Sequence, residues 1–234
     1  MLTDALYVTA RYECNMQSVP CGCGLNNVEM NARIINGEDA VPYSWSMIVS
    51  LQYDCYDDGN ILAHCCGGTI LSESYILTAA HCVDTIYQSM IESGNVTIAA
   101  GIHNRSQLCQ TIRQVDKIFI HPNWTRISNR LRNDIAILHL AEPLDFATGL
   151  SIARTCRPPR LNSSAEVMQY PTHGTSLAVI GWGYLNAIGS FIAPQVLQQA
   201  TVYSVHYNQS TCNAAINDIE LQFCAGVSEV DKGE

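Results

Sequence analysis

Positive charge is scarce in this 234-residue chain, where 12 Lys and Arg stand against 21 Asp and Glu for a formal net charge of −9. That balance argues against nucleic acid or an anionic membrane as the partner. No apolar run approaches the roughly 18–20 residues needed to span a bilayer. The N-terminal stretch MLTDALYVTARYEC carries Asp4 early and has no apolar core of the kind a secretory signal needs. Internal repeats and low-complexity tracts are missing. GIHNRSQLCQTIRQV lacks the carboxylates that a calcium loop requires, so no metal and no cofactor is expected.

Paired C-x-x-C ligand clusters are also missing. The 11 cysteines are scattered instead, a pattern that favours disulfides and an oxidising compartment over zinc. Asn95, Asn104, Asn123, Asn162 and Asn208 each begin an N-x-[ST] sequon, which fits passage through a secretory pathway. The composition therefore reads as secreted while the first residues show no signal, so the upstream end is expected to be incomplete.

The length suits one compact unit with an appended segment. Residues 1–33 are rich in cysteine and turn residues and show no sustained period, so they read as an irregular leader. From Ile34 onward short β-type runs recur between turn residues: SWSMIVSLQY, GGTIL, YILTA, NVTIAA, QVDKIFI, DIAILHL, SLAVIGWG, QVLQQATVYSV and LQFCAG. STCNAAIND is the best short helix candidate, with Ser210 or Thr211 as its cap. The fold class is all-β, and closed barrels would remove the exposed edges of so many antiparallel strands. Cys156 to Thr175, rich in Pro and Ser, reads as the connection between two halves.

A lone histidine beside a strand is usually packed or solvated, and His64, His103, His121, His139, His173 and His206 are read that way. His81 has different company, because it lies in TAAHC at the end of a β-rich run. Together with NDIAIL (Asn133 to Leu138), GWG (Gly181 to Gly183) and FCAG (Phe223 to Gly226), in that order, this stretch resembles the chymotrypsin and trypsin family of serine proteases. The resemblance implies two six-stranded antiparallel β-barrels, the second incomplete in this chain. It also implies a division into a leader or propeptide, residues 1–33, and a protease domain, residues 34–234.

By the same resemblance His81 is the general base and acid, a task that suits an imidazole because its pKa lies near operating pH. Asp134 would hold the ring tautomer and stabilise the imidazolium. NARIINGEDA resembles the family's activation junction, with Arg33 as the cleavage point and Ile34 as the new N-terminus, whose ammonium would pair with a buried carboxylate as a latch. Cys66 with Cys82 and Cys212 with Cys224 look like two family disulfides. Cys156 is expected to tether the leader through Cys23 or Cys21, while Cys55 and Cys65 would close a hairpin loop. Cys14, Cys109 and the remaining member of the Cys21/Cys23 pair stay unassigned.

The family's nucleophile sits in Gly-Asp-Ser-Gly-Gly, and no such string occurs. Ser228, in GVSEV, is read as a loop serine. About three of the second barrel's expected six strands are present, so the chain as given is expected to be inactive. The expected function is that of a secreted serine endopeptidase made as a zymogen. Its partners would be protein or peptide substrates, an activating trypsin-like protease and protein inhibitors, with no nucleic acid and no membrane. The alternative is a non-catalytic homologue that binds without cleaving. Gly233 stands where trypsin-like members carry the pocket-floor aspartate, which would favour cleavage after apolar or aromatic residues.

Overall fold

The computed structural model describes residues 10–12, 21–22, 24–30, 37–56, 58–106, 111–127, 130–147, 151–158, 160–161, 163, 166, 170–184, 193–210, 212, 216 and 218–226. In chain order the strands are β1 Ala10–Tyr12, β2 Val28–Met30, β3 Glu38–Asp39, β4 Ile48–Gln52, β5 His64–Ile70, β6 Tyr75–Thr78, β7 Thr97–Ala100 and β8 Thr111–Ile120. They continue as β9 Thr125–Ile127, β10 Arg130–Arg132, β11 Ala136–Leu140, β12 Ser176–Gly181, β13 Gln198–Val205 and β14 Cys224–Gly226. A 3-10 turn spans Ala80–Cys82, and a short helix, α1, covers Gln88–Glu92. Among the described residues no helix is long and apolar enough to cross a membrane.

The chain divides into two compact units. The first comprises Cys14–Asn26 and Pro42–Pro159; its strands close into a six-stranded antiparallel barrel in the order β11, β6, β5, β4, β7, β8. Alternation explains how this barrel fills: in β11 the residues Ala136, Leu138 and Leu140 are buried and join Val49, Leu51, Ile70, Ile76 and Ile98 in the core. Strand β4 is buried along its whole length, including Ser50, whose hydroxyl lies 2.7 Å from His64 Nδ1. Gly68 in β5 permits the close approach of neighbours, because a Cβ there would stand 2.8 Å from Ile76 and 3.0 Å from Val49.

The second unit comprises Met1–Glu13, Asn27–Val41 and Arg160–Glu234. Here β12 pairs with one edge of β13, and β14 and β3 pair with it at opposite ends, giving a four-stranded sheet. Buried Trp182, Leu197 and Gln199 belong to it. One closed barrel and almost no helix agree with the all-β fold of the chymotrypsin type.

The run-by-run reading of strands from the sequence matches β4 to β8 and β11 to β14. Residues 1–33, expected to be irregular, contain two strands among the described residues. Strands β1 and β2 form an antiparallel pair, and Val28 and Met30 are buried while Glu29 between them is exposed. The segment is also shared out, with 14–26 in the barrel unit and the strand pair in the sheet unit. STCNAAIND lies mostly outside the described residues, although the Ile216 N–H donates to Cys212 O at 3.0 Å, a helix-type spacing.

Candidate active site

Strand pairing brings His81 and Asp134 together. In the β6–β11 pair Thr78 stands opposite Ala136. The chain beyond the end of β6 and the chain before the start of β11 therefore emerge at the same end of the barrel. Ala79 is extended at φ −85° and ψ 147°, after which the 3-10 turn begins. The turn buries Ala80 and Cys82 and leaves His81 exposed between them.

Contacts from within and from neighbouring strands hold this turn. Cys82 is disulfide-bonded to Cys66 of β5, with Cα atoms 6.1 Å apart. Buried Tyr53 donates its hydroxyl to Cys82 O at 2.8 Å, and burial, then Asp84 and Tyr56, pushes the phenol pKa up. The Val83 N–H donates to Ala80 O at 3.0 Å.

On the other side Asn133 takes the left-handed conformation at φ 53°, which asparagine tolerates better than most residues. Its Nδ2 donates to Asn123 O at 2.8 Å. Asp134 follows and grips His81 twice. Its Oδ1 accepts the His81 backbone N–H at 2.8 Å, and its Oδ2 lies 2.7 Å from Nδ1. An ionised carboxylate only accepts, so Nδ1 carries the proton in this pair and Nε2 is left with its lone pair. The histidine side chain is 43% exposed and the aspartate 21%, so the base reaches solvent while its orienting partner is more protected.

Cys66, His81 and Cys82 also bring possible metal-ligand atoms within 4.8 Å of one another. Both sulfurs are consumed in the disulfide, so neither offers a thiolate.

No motif announced the cluster behind His81. In the β9–β10 hairpin, Arg126 Nη2 donates to His81 O at 3.3 Å and lies 3.5 Å from Asp84 Oδ2. The Trp124 indole N–H donates to that same oxygen at 3.3 Å, and the guanidinium stands 5.9 Å from the Trp124 ring centre. These contacts tie the hairpin to the turn that carries the histidine. Their only sequence signal was an aromatic and an arginine shortly before NDIAIL, which propensity cannot rank.

Among the other histidines, His139 pairs with Asp116 at 2.5 Å and meets the Tyr75 ring edge-on at 5.0 Å. It sits at the opposite end of the β6–β11 pair from His81. A His–Asp contact is thus not diagnostic alone; the backbone grip and the turn distinguish the first pair.

The structure joins Cys55 to Cys65 and Cys212 to Cys224. Cys156 bonds Cys21 and not Cys23. The reason is local: the Gly22 N–H donates to Arg154 O at 2.8 Å, which lays Cys21 and Gly22 alongside residues 154–156, and the Cys21 and Cys156 Cα atoms are 5.0 Å apart. Cys23, Cys14 and Cys109 lie outside the described residues, as do Arg33, Ile34, Ser228 and Gly233. Around the junction, Gln198 Nε2 of β13 donates to Asp39 Oδ1 at 2.6 Å. Buried Gln199 Nε2 donates to Glu29 O at 2.5 Å and to Glu38 Oε1 at 3.0 Å.

A barrel carrying this His–Asp pair is the architecture of a chymotrypsin-type hydrolase. The family model described as Trypsin matches residues 34–234, and the chain belongs to that family. It is 35% identical to chymotrypsin-C of Mus musculus over 210 residues, covering 88% of this chain and 70% of the relative. It is 30% identical to chymotrypsin-like elastase family member 3A of Homo sapiens over 192 residues, covering 81% and 64%. With human chymotrypsin-like elastase family member 1 the identity is 35% over 187 residues, covering 76% and 62%. The chain thus spans less than two thirds of the length of these two elastases.

Proposed function

We propose that this chain belongs to a secreted serine-type endopeptidase, activated by cleavage after Arg33, in which His81 is the general base and acid and Asp134 its orienting carboxylate. The observation that carries this reading is the double grip of Asp134 on the backbone N–H and on Nδ1 of His81. It leaves the Nε2 lone pair, 3.5 Å from the disulfide-bonded Cys82 Sγ, which has no proton to donate, as the acceptor that can take a hydroxyl proton from a serine and return it to the leaving amine. The carboxylate then stabilises the imidazolium formed in that step without itself taking the proton.

The Gly-Asp-Ser-Gly-Gly string that carries the family's serine does not occur in the 234 residues. Residues 1–33 act as a propeptide held after cleavage by the Cys21–Cys156 bond. Ile34 supplies the ammonium that switches the enzyme on. The count of residues from Cys224, which puts Gly233 where trypsin-like members carry the pocket-floor aspartate, supports cleavage after apolar or aromatic residues. The second reading is a homologue that binds proteins without cutting them.

The two are separated by fusing the chain at Glu234 to the C-terminal segment of the mouse relative and cleaving at Arg33. A peptide ester should be turned over by the cleaved fusion and not by the unfused chain. A fusion that folds and stays silent favours the binding homologue. Turnover by the unfused chain would mean that a serine within the 234 residues serves as the nucleophile.

A further inference from the structure

A sequon becomes a modification site only where the folded chain leaves room for a branched, hydrated sugar on the asparagine Nδ2. The described sequons differ in this respect. Asn95 is half-buried, and its Thr97 is 7% exposed within β7. Asn104 is half-buried, and its Oδ1 accepts both the N–H of Ser106 at 2.9 Å and its hydroxyl at 2.7 Å. Asn123 and its Thr125 are both exposed, and the Asn123 carboxamide makes no hydrogen bond among the described residues. Asn208 and Ser210, in the other unit, are exposed as well.

Asn123 and Asn208 each donate the backbone N–H to the histidine two residues before, and Asn123 differs in that its carbonyl is held as well. Its backbone N–H donates to His121 Nδ1 at 3.1 Å, and its carbonyl accepts the Asn133 amide at 2.8 Å. The backbone is thus fixed on both sides while the side chain is free, which makes a short rigid stalk. Asn133 directly precedes Asp134, Trp124 donates to Asp84, and Arg126 donates to the His81 carbonyl. The stalk rises from the same hairpin base that holds the histidine and the aspartate.

We propose that Asn123 carries an N-linked glycan that forms part of the rim beside the His81–Asp134 pair. The donor is an oligosaccharide linked to a polyprenyl diphosphate. The Asn123 amide nitrogen bonds to the anomeric carbon, the bond from that carbon to the diphosphate oxygen breaks, the lipid diphosphate departs and the amide proton passes to a base. The secretory route comes from the protease reading, and on that reading the sugar screens the histidine from bulky folded proteins more than from short peptides.

The test needs no turnover, so its outcome is separate from that of the protease reading. The full chain is directed into the secretory pathway of a eukaryotic host, and its peptides are treated with a peptide N-glycosidase in heavy-oxygen water. Conversion of Asn123 to aspartate with a gain of about 3 Da is expected, and Thr125→Ala should abolish it at Asn123 while leaving Asn208 unchanged. An unmodified Asn123 in chain that is modified at Asn208 overturns the proposal. Hydroxyl-radical footprinting then compares the glycosylated chain with Asn123→Gln. Lower oxidation of His81 and Trp124 in the glycosylated chain supports the rim, and equal oxidation overturns it.

Discussion

Asp134→Asn isolates what the carboxylate does, because it preserves size and changes one atom. Both groups that Asp134 contacts are donors in the native protein, namely the His81 backbone N–H at 2.8 Å and the ring Nδ1–H at 2.7 Å. An asparagine has one acceptor for two donors. The backbone N–H cannot change, so the amide oxygen stays with it and the NH2 group turns to the ring. Nδ1 must then accept, and the proton moves to Nε2.

The stability cost is small. A charge-assisted bond contributes about 1.5–3 kcal/mol, and the histidine side chain is 43% exposed, so about 1.5 kcal/mol is expected. In the fusion cleaved at Arg33 the catalytic cost is large, about 10⁴-fold in kcat, because the base nitrogen is now blocked by a proton. Long-range ¹H–¹⁵N correlation spectra of the 234-residue chain, taken where the imidazole is neutral, read the tautomer directly. A proton still on Nδ1 in the folded variant would refute the reasoning, whatever the activity.

Further outcomes follow from other contacts. His64 is partly buried against Ser50, and burial, then the Arg105 charge, pushes its pKa down from 6.5 to about 4. The unfolded chain takes up this proton as pH falls below about 6.5 while the folded chain refuses it until about 4, so stability should decline through that window and level off below it. Urea midpoints across that range for wild type and His64→Gln check this, and identical pH profiles would contradict it. Replacing both Cys66 and Cys82 by serine opens a loop with a sequence separation of 16, a cost of about 3 kcal/mol in the loop-entropy model. An unchanged denaturation midpoint would count against that. Gln199→Met keeps the volume but withdraws the donor from Glu29 O and Glu38 Oε1. It should cost about 1–3 kcal/mol in unfolding free energy and hasten proteolysis around residues 31–36, and a variant that shows neither effect would contradict the role given to these two bonds.

Much of the barrel was legible because its strands are short, apolar and separated by turn residues, and because DIAILHL alternates as a half-buried strand should. His81 and Asp134 stood out through their motifs. Less was legible where pairing is non-local. The β1–β2 pair joins residues separated by a cysteine-rich stretch with no period, and β9–β10 hides in NWTRISNRLR, where polar residues mask the alternation. Helix α1 has no side-chain cap and no buried residue, so no pattern marked it. Cys21 and Cys23 are equivalent by spacing, and only the Gly22 to Arg154 hydrogen bond selects between them.

Residue order alone settles the family, the all-β class and the two ionisable groups of the pair, because motif chemistry and period-2 alternation are local properties of a chain. It also settles that Gly-Asp-Ser-Gly-Gly is not among these 234 residues. The orientation of His81, its proton on Nδ1, the support from Arg126, Asp84 and Trp124, and the free amide of Asn123 come from folding. Each depends on strand register bringing together residues far apart in sequence, and register is set by the summed burial of the whole barrel, which no local stretch encodes.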